Sequence, residues 1–129
     1  MTKPVLFQNI AHDLEIAGLV WQPEIGDEVS DRKHREAVSI LVDPQGMTPS
    51  ELRSVYLWLP TVEQMIFQFE ARQSILFHAG LEFTDSSMVY KTVIQSKLGS
   101  IECQAESLRH AMGLALRTLL LADGGENLH

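Results

Sequence analysis

The feature that most constrains this chain is an apolar stripe near its end. Between residues 106 and 122, Leu108, Ala111, Met112, Ala115, Leu116, Leu119 and Leu120 recur at spacings of three and four, while Glu106, His110, Gly113 and Arg117 fall opposite. A period of 3.6 residues gathers the first set on one broad face, so the segment is an amphipathic helix that must bury that face against another layer. Gly124 and Gly125 are expected to end it. The rest of the chain can supply the partner layer: 129 residues, 45% hydrophobic and 21% charged, suffice for one domain with a real core.

A second helix is expected over residues 5–17, where Leu6, Phe7, Ile10, Leu14 and Ala17 share a stripe and Gly18 stands at the C-terminal cap. Residues 19–28 read as an extended link. Residues 37–42 are rich in aliphatic and β-branched types and stop at Asp43-Pro44-Gln45-Gly46, which predicts a strand and a turn. Thr48-Pro49-Ser50-Glu51 suggests a short helical turn over 49–54, followed by a strand over 55–59. Thr61 and Gln64 have the spacing of a capping box, with Val62, Met65, Ile66 and Phe69 as the buried stripe of a third helix.

Residues 74–80 are ambiguous. Continuing the helix would put Arg72 and Gln73 on its stripe. As a strand, Ile75, Phe77, Ala79, Leu81 and Phe83 alternate against Ser74, His78, Gly80 and Glu82, with Leu76 alone breaking the pattern. The helix is therefore taken to about residue 72 and a strand from 75. Further strands over 88–96 and 101–103, with a hairpin at Gly99, complete an antiparallel meander. The expected architecture is α+β: a single layered domain, residues 1–129, in which an antiparallel-rich sheet of about five short strands packs with three helices, the first and last covering its core face.

The net charge of −7 is spread over both halves, and the one dense basic run, Arg32-Lys33-His34-Arg35, follows Glu24, Asp27, Glu28 and Asp31. A chain that tracks phosphates needs an uncancelled basic cluster, so no nucleic acid is expected as a partner. The acidic run lacks the spacing and central glycine of a calcium loop and reads as a solvated acidic loop. The single Cys103 fits a reducing, cytoplasmic setting, and no signal or membrane segment is read.

No phosphate loop, dinucleotide fingerprint or nucleophile elbow is present. The pairs His12 with Glu15 and Glu106 with His110 offer two metal ligands each, short of a site, so no metal, cofactor or catalytic residue is assigned. Cys103, before the last helix, has the position of a thiol nucleophile, but alternation with Ile101 points it at the core. In the strand over 55–59 both faces are apolar. Either the strand is covered twice, or its Tyr56 and Trp58 face meets a ligand or partner.

The elements Trp21-Gln22-Pro23 to Gly26-Asp27 and Leu59-Pro60-Thr61-Val62-Glu63-Gln64 resemble those of small uncharacterised bacterial α/β proteins, which carry Trp-x-Pro-x-x-Gly-Asp followed by Leu-Pro-Thr-x-x-Gln. With its Ala-rich closing helix over 105–120, the last half is similar to the small phage and prophage ABA-sandwich proteins. The resemblance implies a layered helix–sheet fold of bacterial or mobile-element origin and carries over no catalytic residue.

Two readings of function follow. The first is a non-enzymatic protein-interaction module, with a homo-oligomer or another protein as partner. Its anchors are Tyr56, Trp58, Phe67, which lies about 140° round its helix from Val62, and Leu76, on the polar side of its strand. The second is a small-molecule-binding protein or minor enzyme with a pocket near Trp21, Tyr56, Trp58 and His78.

Overall fold

The computed structural model describes residues 6–127; the expected start of the first helix at Val5 lies outside them. In chain order the elements are α1 (Phe7–Ile16), β1 (Glu28–Asp31), β2 (Val38–Ile40), α2 (Pro49–Val55), β3 (Tyr56–Trp58), α3 (Val62–Ala71), β4 (Ile75–Thr84), β5 (Ser87–Ser96), β6 (Gly99–Ala105) and α4 (Leu108–Asn127). The α+β class is as expected. Its details are not: among the described residues there are four helices and six strands, and the strands form two antiparallel three-stranded sheets, β2-β1-β3 and β4-β5-β6.

Local signals account for the helix ends. Gly18 has φ +111°, and the amides of Gly18 and Leu19 donate to Glu15 O and Leu14 O, so the expected glycine closes α1 in a Schellman motif. Thr48 with Glu51 and Thr61 with Gln64 form reciprocal capping boxes, which turn the expected helical turn over 49–54 into α2 and start α3. At the other end α4 runs on through Gly124 and Gly125 to Asn127, since glycine inside a helix costs only about 1 kcal/mol and does not forbid it.

β1 is the element the sequence concealed. Its four residues, Glu-Val-Ser-Asp, hold one apolar side chain, yet it is the central strand of its sheet, with Val29 and Ser30 buried. Pairing on both edges satisfies its backbone and makes side-chain hydrophobicity unnecessary for its placement.

The main core joins Leu57 from β3 and Leu59 just after it, Met65 and Phe69 from α3, Ile94 from β5, and buried residues of α1 and α4. A smaller core gathers Trp21, Val29, Leu41 and Leu52, with Tyr56 and Trp58 against it. α4 is the common wall. One side packs on β5, β6 and α3, and another meets α1 so closely that a Cβ on Gly113 would lie 2.6 Å from Ile10 Cγ2 and 3.2 Å from Phe7 Cε1. Gly113, expected on the outer face, is therefore buried, and α1 covers α4 and β3 rather than the β4-β5-β6 sheet.

Candidate functional site

The two sequence elements singled out above meet at one carboxylate. Asp27 is buried, and its Oδ2 accepts Trp21 Nε1–H at 2.8 Å and the Glu24 amide at 2.9 Å. Its Oδ1 accepts Gln64 Nε2–H at 2.8 Å, while Gln64 Oε1 accepts the Thr61 amide in the cap of α3. Asp27 thus ties the loop before β1 to the start of α3. The expected solvated acidic loop is corrected here, and also at Glu28, whose carboxylate binds Arg109 at 3.1 and 3.2 Å.

The four expected anchors do not form one patch. Trp58 and the 69% exposed Phe67 line one groove of about 420 Å³ with Val20, Gln22, Gln64 and Gln68. Tyr56 packs against the smaller core instead, and Leu76 against the main one. Trp21 is buried in the smaller core, and His78 sits on the other sheet beside Glu82, so the pocket expected near Trp21, Tyr56, Trp58 and His78 is not assembled.

Other chemistry-bearing residues have structural partners. Glu15 pairs with Arg32 at 2.5 Å, which draws the basic run onto α1. Ser107 Oγ lies 2.5 Å from His110 Nδ1 and accepts the His110 amide at 3.1 Å, as an N-cap residue does, while His110 Nε2 is 3.6 Å from Glu106. Among the described residues no group of three His, Cys, Asp or Glu side chains is placed to hold a metal ion. Cys103 is half-buried against the main core, and burial pushes its thiol up, with Thr118 and Arg117 opposing.

The largest anomaly lies on β4. Register sets Leu76 opposite Ile94, Ala79 opposite Thr92, Leu81 opposite Tyr90 and Phe83 opposite Met88. Because Ile94 and Thr92 are buried, all of these share the inner face of the sheet. A bulge between Leu76 and His78 shifts the alternation by one residue, which is why Leu76 reaches the core and Ile75 and Phe77 are exposed, the reverse of the expected pattern.

Beyond Ala79 the inner face loses its cover. β6 ends at Ala105, opposite Tyr90, and α4 turns back from there over the sheet, leaving residues 87–89 paired with β4 alone. The projecting end of the hairpin presents Leu81, Phe83 and Met88, 48–71% exposed, beside half-buried Tyr90. On the outer face His78 and Lys91 flank Glu82, and Glu102, 2.5 Å from Lys91, raises that ammonium's pKa. The sequence signal was the mismatch in strand length, nine residues in each expected hairpin strand against three in the next.

No family model, curated protein or solved structure shows significant similarity to the chain. Among the described residues no helix is long and apolar enough to cross a membrane.

Proposed function

We propose that the chain is a non-enzymatic protein-interaction module that docks its partner on the uncovered inner face of the β4–β5 hairpin. The observation that carries this reading is that Leu81, Phe83 and Met88 share one face of a paired hairpin and stand in water beyond the point where α4 begins. Scattered exposed apolar residues are ordinary, but several on one rigid face mark an interface, with aromatic rings as its usual anchors. The single cysteine fits action in the cytoplasm.

A photo-crosslinking amino acid in place of Phe83 tests the reading in cells. It should give a discrete protein adduct, whereas the same group at exposed Gln45 should not; irradiation without any adduct at position 83 removes the proposal.

A second reading, a small-molecule site, rests on the Trp58–Phe67 groove, whose volume lies in the ordinary ligand range of roughly 300–1,000 Å³. It predicts that Phe67→Ala abolishes ligand-induced changes in Trp58 fluorescence and leaves the Phe83 adduct intact.

A further inference from the structure

We infer that the partner is a second copy of this chain, and that the two copies pair antiparallel along β4 about a two-fold axis at Leu81, joining their sheets into one of six strands. The inference rests on the interaction reading above and names its occupant.

β4 lies at the edge of its sheet and is ten residues long, whereas the edge strands β2 and β3 of the other sheet have three residues each. An edge strand offers unpaired amides and carbonyls to another chain, and proteins usually block such edges with proline, lysine or brevity. β4 has no proline and no lysine. Its bulge at Phe77 would interrupt a ladder, which leaves 78–84 as the clean stretch.

That stretch is self-complementary. Centred on Leu81, antiparallel pairing sets Leu81 against Leu81, Ala79 against Phe83 and Gly80 against Glu82, so on either side of the leucine pair a small residue faces a large one and no like charges stand directly opposite. Glu82 of one copy comes diagonal to His78 of the other, a charge-complementary contact when the imidazole is protonated.

With the axis perpendicular to the sheet, both inner faces point the same way, and the two uncovered patches join side by side across the seam into one apolar surface beside the helical layers. Ala79, Leu81 and Phe83 are the side chains of that face that meet across the seam, and their apolar area is well below the ~800 Å² per partner of a standard interface. Backbone pairing and the rim residues Ile75 and Phe77 supply further area.

The full-length purified chain, at micromolar to several hundred micromolar concentration, should scatter light as two copies of 14.5 kDa. Leu81→Lys, at a position outside both cores, should scatter as one copy with unchanged circular dichroism. The register is read with Leu81→Cys in a Cys103→Ser background. Residues directly opposite in an antiparallel pair lie ~4.5–5.5 Å apart at Cα, within disulfide reach, so mild oxidation should give a covalent dimer; Gln104→Cys, on β6, should not.

A single-copy mass throughout, a dimer that survives Leu81→Lys, or a dimer that crosslinks at Gln104 and not at Leu81 overturns the inference. The interaction reading fails separately. A monomeric chain whose Phe83 adduct is a different protein keeps the docking face and loses the second copy, whereas the lack of any adduct removes both.

Discussion

At the scale of single residues, two side-chain environments make opposite demands. Gly113 sits where α1 crosses α4, and the missing Cβ is what allows Ile10 and Phe7 to approach. Gly113→Ala gains about 1 kcal/mol of helix propensity and meets an overpacking cost of about 1–3 kcal/mol, so chemical denaturation should show a net loss. A raised midpoint would show that α1 yields without strain. Cys103 illustrates burial acting on chemistry. Its thiol pKa is raised chiefly by desolvation, so at any pH below that value the native thiolate fraction is smaller than in the unfolded chain. Labelling by Ellman's reagent at pH 8 should therefore be slow in the native protein and fast in denaturant; equal rates would contradict the placement. A spacing argument anticipated the inward Cys103 but placed Gly113 outside, because one stripe cannot show that a helix is packed on two sides.

At the scale of elements, Asp27 shows how a loop, a strand and a helix start become one unit. Asp27→Ala leaves the Trp21 indole, the Glu24 amide and the Gln64 amide without their common acceptor, and should cost about 3 kcal/mol or more. Trp21 emission should shift to the red as its ring gains water; unchanged emission and stability would show that the loop is held by apolar packing alone. The elements themselves were legible in unequal degree. α1, α3 and α4 follow from a 3.6-residue period, and Thr48, Thr61 and Gly18 cap their helices as their types suggest. β1 was illegible because its place is set by backbone pairing on both edges. The face of β4 was misread because a bulge changes the parity of every side chain before it relative to those after it.

At the scale of the whole molecule, Arg109 links the two sheets through α4. Its guanidinium donates to Leu59 O at 2.6 Å, to Pro60 O at 2.9 Å and to both oxygens of Glu28, and lies 4.4 Å from the Phe7 ring centroid. Arg109→Met keeps an apolar stem against Phe7 and loses every donor, so it should cost about 2–3 kcal/mol. Partial exposure of this pair keeps the figure below that of a fully buried ion pair. Hydrogen exchange should then quicken in β1 and β3 before β5; uniform acceleration would mean that the sheets do not part there. What the sequence alone determined was the α+β class, most helix limits and the apolar count, because periodicity and capping are interactions within a few residues. The split into two sheets, the convergence on Asp27 and the bare tip of the β4–β5 hairpin were decided by tertiary structure. Each depends on which distant strand supplies the neighbouring hydrogen bonds and on where α4 stops covering the sheet, and no local spacing encodes either.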